Sequence, residues 1–227
     1  MKKALSIVLL STAILVTATS VHAAEPKKID SDATIQMKAG TKPVDPVDPV
    51  DPTKPGPDTG TGQGGEMQIN YVTNLDFGSD VAITSGTTKA NVGTKFVPYF
   101  QISDLRGTGA GWALKATLGD FVSKTDSSRK IAGATLTFDN PKIMTNNSDK
   151  TEAAEGTGKQ VLTAGGGSSV MMKAAKGNGR GTWLVTYPAK DLKDNSNIKF
   201  EAPSKNIDSN TQYGAKITWE LYDGPMV

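Results

Sequence analysis

The sequence predicts a mainly-β protein: a single antiparallel β-sandwich or barrel-like domain over residues 66–227, preceded by a disordered Pro/Asp/Gly-rich linker over 24–65. Three observations predict it. From Met67 onward apolar and polar residues alternate with a period of two, the signature of half-buried strands. Gly, Asn, Asp and Pro interrupt that alternation every few residues, as turns between short strands do. No segment sustains the 3.6-residue period of an amphipathic helix. Short strands with frequent turn signals read as a sandwich or barrel.

Ahead of that domain, residues 1–3 form a basic start and residues 4–16 an apolar run, followed by Val21-His22-Ala23 with small residues flanking a cleavage point. This is the pattern of a secretory signal peptide over 1–23, too short for a stable membrane span. Its removal takes away His22, the one histidine of the 227-residue chain, together with Lys2 and Lys3. Basic and acidic side chains are then equal in number, so charge offers no argument for nucleic acid or for direct membrane insertion. Without His or Cys, a Ser-His-Asp triad, a cysteine nucleophile, a His- or thiolate-ligated zinc and a disulfide are all excluded. The sequence therefore predicts no enzyme, no cofactor and no metal site. The C-terminal residues 219–227 carry no apolar tail, basic stop-transfer or sorting sequence, which predicts an exported chain with no covalent or membrane anchor of its own.

In the linker, Pro43, Pro46, Pro49, Pro52 and Pro55 recur at every third residue in Pro-Val-Asp units. Polyproline II has three residues per turn, so these prolines would stack along one edge of a spacer about 45 Å long. The alternative is a ligand for a proline-recognising groove. Residues 59–65 are glycine-rich and read as a flexible joint. Candidate strands beyond it are 67–73, 95–103, 112–118, 131–138, 170–174, 181–187, 198–202 and 213–222, with one helical turn at 188–192.

Two strands carry a Trp-x-Leu pair, Trp112-Ala113-Leu114 and Trp219-Glu220-Leu221. Residues two apart share a strand face, so each pair forms one apolar patch. In the last strand Tyr213, Ala215, Ile217, Trp219 and Leu221 share that face, and Lys216, Thr218, Glu220 and Tyr222 take the other, wetter one. An indole in such a place either packs in the sheet interior or stands exposed to stack on sugar rings. The run Tyr213-Gly-Ala-Lys-Ile217-Thr218-Trp219-Glu-Leu221-Tyr-Asp-Gly-Pro225 resembles the distal signature of the WxL-domain surface proteins of Gram-positive bacteria. Gly111-Trp112-Ala113-Leu114 is similar to the family's proximal Trp-x-Leu.

The resemblance implies a cell-wall-binding role: non-covalent association of an extracellular protein with peptidoglycan, or an associated wall polymer, at the surface of a Gram-positive bacterium. It also implies work beside a membrane-anchored WxL-binding protein and other proteins of a surface complex that contacts host matrix or plant polymers. Carried over residue by residue, the binding candidates are Trp112 and Leu114 from the proximal motif. The distal motif supplies Tyr213, Thr218, Trp219, Leu221 and Pro225. Two hypotheses follow, a wall-binding module and a structural or adhesive subunit held by a protein partner. A glycan-active enzyme is the least supported third.

Weaker signals have bland readings. The Gly177-Asn-Gly-Arg-Gly181 string is a turn rather than a nucleotide loop, since no strand-to-helix context surrounds it. Asp139, Asn140 and the 146–149 segment offer oxygens to calcium but equally serve as turn residues. Lys173, Lys176 and Arg180 form a basic edge, either merely solvated or facing an anionic wall polymer.

Overall fold

The computed structural model describes residues 27–225; the expected export signal lies outside them. Residues 27–36 belong to a unit of their own and are exposed and without regular structure. The second unit begins at Met37. Its strands, in chain order, are β1 Met67–Val72, β2 Thr87–Val92, β3 Tyr99–Asp104, β4 Trp112–Leu118, β5 Val122–Ser123, β6 Thr135–Phe138 and β7 Lys142–Thr145. There follow β8 Glu155–Gly156, β9 Gln160–Thr163, β10 Ser169–Ala174, β11 Gly181–Thr186, β12 Asn195–Pro203, β13 Tyr213–Gly214 and β14 Ile217–Asp223. The protein is all-β and antiparallel, as the sequence predicts.

The differences from expectation are local and have local causes. The strand expected from residue 95 starts at Tyr99, because Pro98 cannot donate to a ladder. The one expected from 131 starts at Thr135, after Gly133 turns the chain at φ +76°. The long final strand is split into β13 and β14 where the Lys216 carbonyl leaves the ladder to accept from Gly119 N–H. No helical turn forms at 188–192; the helical element among the described residues is a 3₁₀ turn at Ser204–Asn206. Strands β2, β7 and β9 were not expected, since their short Thr- and Lys-rich stretches carry little apolar alternation.

Three four-stranded sheets run in the orders β1-β3-β11-β7, β14-β4-β10-β8 and β2-β12-β6-β9, with a small β13-β5 pair beside them. Among the described residues no strand is paired with its neighbour in sequence. The inner faces meet in one apolar core: Phe100, Ile102, Trp183 and Val185 from the first sheet, Trp112, Leu114, Leu118 and Met172 from the second, Leu136, Phe138, Ile198 and Phe200 from the third. Fully burying each of these large side chains contributes roughly 1.5–3 kcal/mol. Phe138, Tyr187, Phe100 and Trp219 continue through that core as a chain of tilted aromatic contacts, with successive centroids 5.5, 6.3 and 4.9 Å apart.

The outer face of the first sheet is also closed to solvent, and by polar residues. Gln68, Gln101 and Ser103 are fully buried, with Asn70 and Thr182 nearly so. Asn70 Oδ1 accepts from the Ser103 hydroxyl at 2.7 Å, and Ser103 Oγ lies 2.8 Å from Thr182 Oγ1. The cover is the Pro-Val-Asp segment, which the sequence reads as a spacer. Gln68 Oε1 accepts from Val44 N–H at 2.9 Å and Gln101 Oε1 from Val47 N–H at 2.8 Å. The segment then turns back on itself, Gly56 N–H donating to the Pro46 carbonyl and Asp48 N–H to the Lys54 carbonyl. Thr61 N–H donates to the Asn70 carbonyl, against the open edge of β1. Buried amide groups on a sheet face need partners, and a backbone rich in carbonyls supplies them.

At the tip of this turn the Thr53 hydroxyl, at 2.6 Å, the Lys54 ammonium, at 2.9 Å, and the Thr53 N–H hold the Asp51 carboxyl down from its ordinary 3.8 to about 2. A carboxyl whose folded pKa is depressed contributes stability above its ordinary pKa and loses it as pH falls toward the folded one. We therefore expect Asp51 to titrate near pH 2 in a carboxyl-carbon NMR titration. The Thr53 amide should lose hydrogen-exchange protection between about pH 4 and pH 2. An ordinary Asp51 midpoint would mean that the turn is not held this way.

Candidate functional site: the paired Trp-x-Leu strands

The two Trp-x-Leu motifs lie more than a hundred positions apart in the chain, yet β4 and β14 are direct neighbours in one sheet. Their register sets Leu114 opposite Leu221, Trp219 opposite Ala116 and Trp112 opposite Asp223. On the other side of β4, Ala174 of β10 stands opposite Trp112 and Met172 opposite Leu114. Each indole thus has a small residue beside it, which leaves room for the ring on the pleated face.

Trp112 and Leu114 are fully buried. The Trp112 indole N–H donates to the Gly179 carbonyl at 3.0 Å, satisfying the ring's one polar atom inside the core. Gly179 lies in the Gly177-Asn-Gly-Arg-Gly181 string, which packs as the cradle of Trp112. At Gly179, φ is +80°, and a Cβ there would fall deep inside the van der Waals shells of Ala174 Cβ and the indole nitrogen. Gly111, immediately before the tryptophan, has φ +80° and backbone of Ala174 and Ala175 at less than 3 Å from any added Cβ. Trp219, Leu221 and Tyr213 are half-buried and pack on the same core. The Tyr213 hydroxyl donates to Asp208 Oδ2 at 3.0 Å and accepts from Asp208 N–H at 3.2 Å, pinning the approach to β14. Thr218 and Pro225 are exposed.

An arginine not singled out in the sequence joins the two motifs. Arg106 donates through Nε and Nη2 to the two carboxylate oxygens of Asp104, at 2.9 and 2.8 Å, and through Nη2 to the Gly111 carbonyl at 2.9 Å. Its Nη1 donates to Asp223 at the end of β14. The Asp104 side chain has no exposed surface and that of Arg106 only 9%. The carboxylate beside it pushes the guanidinium further up from its already high pKa. Gly224 N–H donates to the Gly111 carbonyl at 3.1 Å and closes the ring. The sequence signal was slight: an Asp-x-Arg pair ahead of a glycine-rich loop, common on any surface.

The alternate residues of the two strands face outward. Thr218, Glu220 and Tyr222 of β14 are exposed, and Lys115 and Thr117 of β4 half-exposed. The Lys115 ammonium sits 5.1 Å from the Tyr222 ring centroid, a cation–π distance. In register across the strands, Tyr222 neighbours Ala113, and Ala113 neighbours Lys173. Of the basic edge read from sequence, Lys173 joins this strip, Lys176 is exposed beyond it, and Arg180 pairs with Glu152. The oxygen-rich turns serve locally: Asn147 donates to the Arg180 carbonyl at 2.8 Å, and Asp149 accepts from Thr151 N–H and hydroxyl. Among the described residues no group of three metal-ligating side chains comes together.

The domain is all-β and framed by two adjacent Trp-x-Leu strands, with one tryptophan sealed and one half-covered. The family profile described as WxL domain surface cell wall-binding matches residues 24–225, and the chain belongs to that family. No match was found among curated proteins or among solved structures.

Two stability predictions come from this geometry. Arg106→Ala strands a buried carboxylate and should cost about 3–5 kcal/mol, whereas Asp223→Asn, on the exposed side of the pair, should cost no more than about 1 kcal/mol. Urea denaturation of both variants measures the contrast, and equal costs would remove Arg106 as the clamp. Gly179→Ala should cost about 3 kcal/mol, the sum of left-handed strain and overpacking against Trp112. Gly177→Ala, at φ +93° with nothing within 4 Å of the added carbon, should cost only about 1–2 kcal/mol. Matching thermal melts for the two glycine variants would show that the cradle gives way freely.

Proposed function

We propose that this surface cell wall-binding protein is exported, non-catalytic and attached non-covalently to the peptidoglycan of a Gram-positive wall, or to an associated wall polymer, through the domain from residue 66 onward. The observation that carries this reading is the division of labour along β4 and β14. Their Trp and Leu side chains face the core, and the alternate residues Lys115, Thr117, Thr218, Glu220 and Tyr222 make one continuous outward strip. A tyrosine flanked by a lysine and by hydroxyl and carboxylate groups suits a glycan strand bearing short peptides: the ring stacks on sugar, the lysine meets carboxylates. In this reading Trp112, Leu114, Trp219 and Leu221 hold the strip flat, and Tyr213 and Pro225 fix the ends of its last strand. Support for a non-catalytic role is compositional, since the chain beyond residue 23 has neither His nor Cys. Among the described residues no helix is long and apolar enough to cross a membrane.

One observation favours a second reading, a structural or adhesive subunit held by a membrane-anchored WxL-binding protein within a complex that contacts host matrix. Among the described residues strand β14 is the edge of its sheet and pairs with β4 alone, so the backbone groups that point away from β4 are available for strand addition by a partner.

Co-sedimentation of residues 24–227 with purified peptidoglycan, native and stripped of teichoic acid, separates the two. On the first reading Tyr222→Ala with Lys115→Glu lowers the bound fraction at least tenfold while the thermal melt is kept. Wild type remaining in the supernatant, but captured by the partner's ectodomain, would replace the first reading by the second.

A further inference from the structure

The cover on the outer face of the β1-β3-β11-β7 sheet is read by that face in a repeating way. Gln101 accepts the N–H of Val47 at 2.8 Å and donates to the carbonyl of Asp45 at 3.1 Å. Gln68 accepts the N–H of Val44 at 2.9 Å and donates to the carbonyl of Lys42 at 2.7 Å. In both cases one side-chain amide takes the N–H of a residue and the C=O of the residue two before it. The two contacts are displaced by three residues, the period of the Pro-Val-Asp repeat. Prolines at 43 and 46 have no N–H to leave unpaired, and they hold the chain extended at little entropic cost. We infer that this face is a recognition site for an extended Pro-Val-Asp peptide, filled here by residues 42–47 of the same chain and open to the same repeat of a second copy.

Three further features bear on the occupant. The repeat offers three Pro-Val-Asp units while the two glutamines read two; Val50 N–H turns instead to Asp48 Oδ1 at 2.8 Å. Every unit presents the same N–H and C=O pattern, so the site does not distinguish its own copy from another. Next, the Tyr99 ring stacks on Tyr71 at 4.5 Å in the cluster that Val47 covers. It is only 2% exposed, yet its hydroxyl has no hydrogen-bond partner among the described residues. An unpaired buried hydroxyl is costly, so the cluster under Val47 is not fully satisfied in this arrangement. Finally, the segment joins β1 through a stretch with glycine at 60, 62, 64 and 65, of which Gly62 and Gly65 have positive φ. The glycines supply the bend, and the Thr61 bonds to the Ile69 and Asn70 carbonyls anchor the joint to β1 while residues 42–47 exchange.

In dilute solution the tethered segment wins, because a short flexible tether acts as an effective concentration on the order of millimolar. Where copies are packed side by side, a neighbour's repeat reaches a comparable concentration. Exchange then links one copy to the next through contacts identical to the internal ones.

Two complementary full-length variants test this. Val44→Pro with Val47→Pro removes both N–H donors and leaves a receptive face without a competent segment. Gln101→Leu keeps the segment but spoils the face. In sedimentation velocity at about 50 µM each should run as a monomer, and their mixture should form a 1:1 complex by the effective-concentration reasoning above. The first variant should also bind a labelled peptide of residues 42–56 at least tenfold more tightly than wild type does, by fluorescence anisotropy. The same peptide with proline at both valine positions should not bind. A mixture that stays monomeric removes the second copy as occupant even if the peptide binds. Equal binding of the two peptides would remove the recognition site itself. Loss of folding in the Val44→Pro, Val47→Pro variant would make the segment part of the fold rather than its ligand.

Discussion

The fork of Arg106 ties together parts of the chain that are far apart in sequence. It neutralises Asp104 at the end of one sheet, caps the carbonyl before Trp112, and reaches Asp223 where the last strand ends. A buried pair of this kind contributes little net stability by itself, but its disruption leaves a charge in an apolar setting. It sits at the end of the register in which Asp223 stands opposite Trp112, Leu221 opposite Leu114 and Trp219 opposite Ala116. A slip of one residue would turn every Trp and Leu of the last strand to solvent.

The same principle of satisfied polar groups shapes the outer face of the sheet in which Asp104 ends a strand. A sheet face bearing Gln68, Asn70, Gln101, Ser103 and Thr182 would ordinarily be left to water. Here those groups bond to one another and to a proline-rich backbone, which offers many acceptors and few donors. Two glutamines answer that imbalance because an amide side chain carries both functions. Stability and recognition are therefore chemically the same thing on this face.

The family's signature residues divide by depth. Trp112 and Leu114 are sealed in the core, Trp219 and Leu221 half-covered, Thr218 and Pro225 open. The proposed attachment through a sheet face calls for a flat, stiff platform more than a cleft. Large apolar side chains beneath a strand give that stiffness without appearing at the surface. The outward strip beside Tyr222 carries the chemical variety that the inward residues lack.

Strand existence was legible in the sequence where alternation was strong. The strands at Met67, Trp112, Ser169 and Gly181 begin within one residue of their expected starts. The inward and outward faces of the last strand were legible too, because a period of two fixes them locally. β2, β7 and β9 were not, since nothing apolar alternates there and long-range pairing supplies the strand. Of the site, the two Trp-x-Leu pairs were visible as patterns. The Gly179 cradle and the reach of Arg106 to Asp223 were not, because the partners lie 67 and 117 positions apart. The sequence by itself determined the all-β class, the chemistries excluded beyond residue 23, where neither His nor Cys occurs, and the side of each strand that seeks the core. Only the tertiary structure decided which strands are neighbours. With no strand among the described residues paired to its sequence neighbour, these ladders are closed by distant chain, and local patterns carry no record of that choice.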